Sequence, residues 1–205
     1  MKNPNLVKID FAKLHKDLYS ATRQVKEVNA GKACFLSLEG SGDPAGEAFQ
    51  KAIEKMYSLA YTIKFSLLMS GQLNFAVSKL ECLWLMEDPE NIPRDQWPWE
   101  LLIRIPEEVK TQDMKTAGKT ILERKGIDTS AVKRKIWKEG RAIQMMHIGP
   151  YERVGDSYKL LDRYAQEKGL KAVCPGHEIY ISDPRRVAPE KIKTIVRLPV
   201  QVQVT

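Results

Sequence analysis

The feature that most constrains the fold is a succession of strand, helix, strand and strand that occurs twice along the chain. In the first half, an apolar strand at 33–38 precedes a turn containing Asp43 and Pro44, which suit a helix N-cap and first helical position. Apolar residues then recur at three- and four-residue steps until Gly71, as in an amphipathic helix. Two further strands are predicted at 74–86 and 97–105.

The second half repeats the order. A strand at 141–148 is followed by the Gly149-Pro150 turn and a helix over 152–168, and then by strands at 176–182 and 193–204. Each half has one sheet face covered by its own helix and leaves the other face without a partner. We therefore expect the two halves to enclose a groove walled by side chains that lie opposite the helices.

One domain is predicted at 31–205, and its two halves occupy about 31–106 and 140–205. The residues outside the two halves are predicted to be helical. Residues 1–30 read as an N-terminal helical appendage, with an amphipathic segment near 11–19. Residues 107–139 read as a helical bridge between the halves.

Within that bridge, Met114, Ala117 and Ile121 have helical spacing. A break follows at 126–128, and a second short helix is expected over 132–137.

The strand around residue 178 separates two kinds of side chain. Strict alternation places Glu178, Tyr180 and Ser182 on one face, and His177, Ile179 and Ile181 on the other. The first face is expected to look into the groove and the second to lie under the helix at 152–168. Glu178 is either an ordinary solvated carboxylate or a partly desolvated working base, which would have a raised pKa.

Charge and composition favour a soluble, cytoplasmic small-molecule-binding protein over a nucleic-acid-binding one. The formal charge is +7, but lysines and arginines are interspersed with acidic residues rather than gathered in one block. About 30 N-terminal residues are too few for a helix-turn-helix domain with its supporting helices. We expect no DNA-binding domain and no membrane segment, and a monomer.

No cofactor or metal is expected either. The three cysteines, Cys34, Cys82 and Cys174, are widely separated and outside any CxxC pair, which argues against a disulfide framework or a zinc site. The Gly40-Ser41-Gly42 segment lacks the Lys-Ser/Thr of a phosphate-binding loop.

Aromatic residues are the candidates for ligand contact. Trp84, Trp97 and Trp99 fall in the two later strands of the first half, where they form an aromatic wall or part of the core. Tyr151, after the Gly149-Pro150 turn, is a second phenolic donor besides Tyr180, or else packs the turn. His147 suits acid–base work near neutrality, although a structural role is the better interpretation.

Four stretches together resemble the GyrI-like small-molecule-binding domain proteins: residues 35–44, 56–64, 147–151 and 176–200, the last including Ser182-Asp183-Pro184-Arg185-Arg186. The resemblance implies an α+β fold of duplicated βαββ (SHS2-type) modules with pseudo-two-fold symmetry. It also implies helices on one side and a ligand cleft between the halves, lined by aromatic residues and a central glutamate. That glutamate corresponds to Glu178.

Within this family, Trp97-Pro98-Trp99 and the run at 182–186 look like the branch that includes cyclopropanoid cyclopropyl hydrolases. The resemblance implies a hydrophobic, aromatic small molecule as the partner, with Glu178 as base and Tyr180 or Tyr151 as donor to the substrate oxygen. A non-catalytic drug-binding or sensing module is the alternative, and gyrase inhibition is a third possibility.

Overall fold

The computed structural model describes residues 6–202, so the predicted end of the last strand at 203–204 lies outside the described residues. In the described part, helices occupy Phe11–Leu14 (α1), Lys16–Tyr19 (α2), Glu47–Met69 (α3), Thr111–Lys125 (α4) and Val154–Glu167 (α5). Strands occupy Lys26–Ser41 (β1), Leu80–Trp84 (β2), Pro98–Ile105 (β3), Lys133–Ile148 (β4), Leu170–Ala172 (β5), Gly176–Tyr180 (β6) and Lys193–Val202 (β7).

All strands join one large antiparallel sheet, in the order β4-β1-β3-β2-β6-β7-β5. In the first half β1 pairs with β3 and β3 with β2; in the second half β4 pairs with β7 and β7 with β6. The halves meet twice, through β2–β6 and through β1–β4. Since β4 pairs with both β1 and β7, six strands close into a ring.

The helix predicted in the first part of the bridge is present, and the short helix predicted in its second part is not. Residues 111–125 are helical as predicted, and Gly126 ends α4 in the left-handed conformation that glycine adopts without strain. Residues 132–137 are predicted as a helix, but 133–137 instead form the start of β4 and pair with β1, for example Ile136 with Cys34. Backbone pairing along a neighbouring strand outweighs weak local helix propensity here.

α3 covers the first half of the sheet with one apolar face. It begins at Glu47, after a turn in which the Asp43 carboxylate accepts a hydrogen bond from the Ala45 amide at 2.8 Å, so it starts slightly later than predicted. The side chains of Met56, Leu59 and Ile63 are fully buried against the sheet. Burying each stabilises the fold by roughly 1.5–3 kcal/mol.

α5 covers the second half on the same face of the sheet. Leu161 and Ala165 pack against Ile143, Val196 and other residues of β4 and β7. The two helices stand over different halves, and a space remains between them above the junction of β2 and β6, whose own side chains are mostly buried.

The other face of the sheet holds a smaller apolar cluster and the N-terminal arm, which we define as residues 6–25. Phe35, Leu83 and Leu102 pack there against Trp137, and Leu18 of the arm packs against Val28. The arm is thus packed against the sheet, and β1 starts at Lys26, upstream of the predicted residue 33.

Candidate ligand-binding groove

A groove of about 1680 Å³ lies between α3 and α5, above the junction of β2 and β6. Its lining is rich in aromatic side chains: Phe49, Tyr57, Tyr61, Trp84, Trp97, Tyr151, Tyr158 and Tyr180. Glu178 also lines it, beneath these rings. The groove therefore combines a wall of aromatic rings with one buried carboxyl group at its base, and charged side chains also line it.

The groove is on the helix-covered face of the sheet, not on the opposite face as the sequence predicted. Glu178 receives a hydrogen bond from Tyr158 of α5, and Trp84 beside it stacks on Phe49 of α3. The expectation failed because each helix covers only its own half. Ile179, expected beneath α5, lies on the opposite face and pairs with Glu81.

Glu178 is held by donors from two different elements. Its side chain is buried, at 3% exposure, in the central strand β6. The Trp84 indole Nε1 donates to Glu178 Oε1 at 2.8 Å, and the Tyr158 hydroxyl donates to the same oxygen at 3.4 Å. Both bonds go to one oxygen, which fixes the orientation of the carboxyl group.

The ionisation of Glu178 is shifted towards neutrality. Burial raises the pKa of Glu178 to about 7, although hydrogen bonds, that of Trp84 foremost, partly oppose the effect. A carboxyl group with this pKa exists in both protonation states near neutral pH and can accept a proton there.

Two tyrosines supply hydroxyl groups beside it. The rings of Tyr151 and Tyr180 meet edge to face, with centroids 5.7 Å apart. Burial, with the charge of Glu178, raises the pKa of Tyr151 to about 12 and that of Tyr180 well above 10. Both phenols therefore stay protonated and can act as hydrogen-bond donors at neutral pH.

Tyr158 is a groove residue that the sequence did not predict. Burial raises its pKa well above 10, so it too remains a donor. A Cβ at Gly176 would lie 2.9 Å from the Tyr158 hydroxyl, so the glycine leaves room for this ring. The signal in the sequence is weak, because the face of α5 that meets β6 depends on packing between distant segments.

The three tryptophans considered as ligand contacts do not share one location. Trp84 stacks on Phe49, with ring planes 4° apart, and meets the edge of Trp97 at 5.7 Å. Trp97 is fixed by a 2.9 Å hydrogen bond from its Nε1 to the Ile92 carbonyl. Trp99 is 3% exposed, packs closely over Gly40 and is not in the lining.

His147 is also outside the lining and has structural partners. Its Nδ1 lies 2.9 Å from the Ser157 hydroxyl and its Nε2 lies 3.2 Å from the Pro150 carbonyl. These contacts tie the end of β4 to the turn and to α5. The histidine thus positions the loop that carries Tyr151.

Within residues 6–202, no group of three or more His, Cys, Asp or Glu side chains is arranged to hold a metal ion. No helix within this range is both long and apolar enough to cross a membrane.

Comparison with known proteins identifies similar structures. An uncharacterised conserved protein of Listeria innocua is 36% identical, with a TM-score of 0.88 over 94% of this chain and 100% of its own. A hydrolase of Listeria innocua is also 36% identical, with a TM-score of 0.87 over 95% of this chain and 100% of its own. The EcmrR C-terminal domain shares the fold at 12% identity, with a TM-score of 0.59 over 87% of this chain and 98% of its own.

No curated protein matches the chain. Residues 24–201, however, match the family described as the GyrI-like small molecule binding domain, and this range includes all the strands that form the groove. The chain therefore belongs to the GyrI-like small-molecule-binding domain family.

Proposed function

We propose that the groove binds planar hydrophobic molecules and that the protein adds water to a strained, electrophilic ring in them. One observation carries the proposal: a buried carboxyl group with a pKa of about 7, Glu178, lies at the base of a groove walled by aromatic rings. The Listeria innocua protein described as a hydrolase, 36% identical to this chain, supports a hydrolytic reaction.

Binding of a flat molecule rests on the shape and chemistry of the walls. Trp84, Trp97, Tyr57 and Tyr151 come from different elements and line one cleft. Aromatic rings contribute about 0.5–1.5 kcal/mol per stacked or edge contact beyond the burial of area.

Duplication of two βαββ modules about an approximate two-fold axis is part of the proposal. It is supported by the equivalent pairing order of β1, β3 and β2 in the first half and of β4, β7 and β6 in the second. The groove then lies at the junction of the modules.

The substrate class we propose is a cyclopropane conjugated to a carbonyl group, as in the hydrolase branch that the sequence resembles. Ionised Glu178 takes a proton from water while the water oxygen forms a bond to a ring carbon. The C–C bond of the cyclopropane breaks, and its electron pair moves through the conjugated system to the carbonyl oxygen. A Tyr151 or Tyr180 hydroxyl stabilises the negative charge on that oxygen, which then takes a proton from solvent while Glu178 releases to solvent the proton it took from water.

The test is turnover of a cyclopropyl-dienone by the wild type and Glu178→Gln, followed by mass spectrometry. General-base catalysis contributes about 10²- to 10⁴-fold, so the variant should lose that factor. Binding, followed by quenching of tryptophan fluorescence, should largely persist. Glu123→Gln, an exposed change on α4, is the control and should keep full activity. Equal turnover by Glu178→Gln and the wild type would refute the catalytic assignment.

A second candidate function is binding of cationic aromatic molecules without chemistry. Ionised Glu178 below aromatic rings would attract a cation, and each cation–π contact adds roughly 0.5–2 kcal/mol. Incubation with a planar cation and with the neutral dienone separates the two functions. Tight cation binding with no product from the dienone would favour the binding module.

A further inference from the structure

A second group of buried charges lies directly behind Glu178, on the opposite face of the sheet. It consists of Glu81 of β2, Glu139 of β4, His177 of β6 and Arg197 of β7, which we call the buried ionic cluster. The His177 side chain is 1% exposed and that of Glu81 is 2% exposed. None of these four residues takes part in the proposed reaction.

The geometry requires His177 to be a cation. Its Nε2 lies 3.0 Å from Glu81 Oε2 and its Nδ1 lies 3.0 Å from Glu139 Oε1. A neutral imidazole has only one N–H group, whereas both ring nitrogens here face a carboxylate acceptor. The doubly protonated ring satisfies both contacts, so His177 is an imidazolium.

The other members of the cluster also have hydrogen-bond partners. Arg197 Nη1 donates to Glu139 Oε2 at 2.7 Å, and the Tyr19 hydroxyl donates to Glu81 Oε1 at 2.8 Å. Arg197 also donates to Gln144 and to the Leu18 carbonyl. The N-terminal arm closes this site through Leu18 and Tyr19, and Arg104 of β3 lines the same small cavity.

Glu178 faces mainly uncharged groups on its own side. Trp84 and Cys82 face it from β2, Tyr158 from α5, and Tyr180 and Tyr151 from the groove wall. Burial raises the pKa of the Cys82 thiol well above 9 and those of the three tyrosines above 10, so all are neutral near pH 7.

His177 therefore provides a cation close to this carboxyl group. The Cα atoms of His177 and Glu178 are about 3.8 Å apart, and their side chains extend from opposite faces of one strand, so the two charges lie on either side of the sheet, farther apart than the Cα atoms. Little water separates the two side chains, because both are buried. The attraction between their charges is therefore weakly screened.

We propose that His177 is a positioning residue that acts through Glu178: its imidazolium charge, fixed by Glu81 and Glu139, favours the ionised form of the Glu178 carboxyl group across the sheet. The role in turnover rests on the proposed function, but the electrostatic coupling does not. The positive charge of His177 lowers the pKa of Glu178 and so opposes the effect of burial.

Two substitutions with opposite charge effects test the coupling. His177→Gln removes the cation and should raise the titration midpoint of Glu178 by about half to one pH unit. Glu81→Gln removes an anion but leaves His177 paired with Glu139, and should lower the midpoint by a similar amount. Tyr19→Phe, which removes a hydrogen bond to Glu81 without changing charge, is the control and should leave the midpoint in place.

The midpoint is measured without any substrate, from the ¹³C chemical shift of the Glu178 carboxyl group in glutamate-labelled protein. The signal is assigned by its absence in Glu178→Gln. Opposite shifts in the two variants support the proposal. No shift, or shifts in the same direction, overturns it. If His177→Gln does not fold, the ¹⁵N chemical shifts of the His177 ring in the wild type decide: a doubly protonated ring at pH 7 whose deprotonation moves the Glu178 signal supports the proposal, and a neutral ring at pH 7 overturns it.

The same variants then separate this proposal from the proposed function. The acidic limb of the pH–rate profile with the cyclopropyl-dienone should move with the midpoint in each variant. Opposite midpoint shifts in a protein that never turns the dienone over would leave the electrostatic coupling in place and reject the hydrolytic function. Turnover of the dienone with an unchanged titration midpoint of Glu178 in both variants would support the hydrolytic function and reject the electrostatic coupling.

Discussion

Two consecutive residues of β6 show how much a side chain's chemistry depends on the face of the strand that carries it. Burial alone would lower the pKa of His177, but Glu139 and Glu81 raise it to about 9. Burial raises the pKa of Glu178 to about 7, and its hydrogen bonds, that of Trp84 foremost, only partly oppose the effect. The protein thus stabilises the charged form of His177 and destabilises the charged form of Glu178.

Glu178→Gln should stabilise the protein at alkaline pH. Since the folded pKa of about 7 exceeds the unfolded value of 4.5, the carboxyl group contributes stability that is fully present below pH 4.5 and is lost as pH rises through 7. At pH 8 the variant should therefore be more stable by up to about 3 kcal/mol. Urea unfolding at pH 8 and at pH 4, where the difference should vanish, measures the effect.

The comparison for this prediction is Ile179→Asp. Ile179 is fully buried on the other face, so an aspartate there would place a charge in the interior. The substitution should lower the free energy of unfolding by several kcal/mol. If Glu178→Gln lowered the melting temperature as much as Ile179→Asp does, Glu178 would be a structural anchor instead of a working base.

Local patterns were sufficient for some groove residues and not for others. Period-two alternation places Glu178 and Tyr180 on one face because it depends only on neighbours in the strand. Which face of the strand meets the groove depends on the side of the sheet against which α3 and α5 pack. The sequence of one short strand does not determine that packing. Tyr158 and Trp99 illustrate the limit, since their positions depend on the small residues Gly176 and Gly40 far away in sequence.

At the scale of elements, the N-terminal arm is a part of the fold that closes the buried ionic cluster. The Gln144 side chain donates to the Asp17 carbonyl, and the Arg197 side chain donates to the Leu18 carbonyl. The backbone amide of Met146 donates to the Thr22 carbonyl. The sequence predicted an amphipathic helical segment here, and the structure has two short helices, α1 and α2. Their docking rests on long-range polar contacts that hydrophobic periodicity does not reveal.

Tyr19→Phe should destabilise the protein by about 1–3 kcal/mol, because it leaves the buried Glu81 carboxylate without one donor. Chemical denaturation at pH 7 measures the change. Tyr61→Phe, at a tyrosine that is 46% exposed on α3, is the matched control and should have little effect. Equal stability of Tyr19→Phe and the wild type would show that the hydroxyl contact with Glu81 contributes nothing.

The start of β4 shows why one element was assigned wrongly from sequence. Residues 132–137 carry several charged side chains and few β-branched ones, a composition that a helix accepts. The partner that makes them a strand is β1, about a hundred residues earlier. The helices at 111–125 and 154–167 were predictable because their apolar spacing is regular and their ends are marked by glycines.

At the scale of the whole molecule, once Glu178→Gln removes the loss that Glu178 causes above pH 4.5, stability should be highest between about pH 4.5 and 6.5. Burial alone would raise the pKa of Glu139, but His177 and Arg197 lower it to about 2, so its contribution is present above 4.5 and lost as pH falls through 2. The contribution of His177 is present below 6.5 and lost as pH rises through 9.

Each loss should be of the order of 2–3 kcal/mol. Urea unfolding at pH 3, 5.5 and 9 measures it, and a Glu178→Gln background separates the alkaline loss due to His177 from that due to Glu178. A stability that did not fall between pH 5.5 and 9 in this background would contradict the imidazolium assignment.

The ring of strands also sets the order in which the protein can be completed during synthesis. β7 is the last strand, yet it pairs with both β4 and β6, and its Arg197 reaches back to the carbonyl of Leu18. Contacts between such distant residues raise the contact order and slow folding. On the ribosome, the groove and the charges behind it cannot be assembled until residue 197 has left the exit tunnel, so the nascent chain carries Glu178 before it has the site that gives this residue its chemistry.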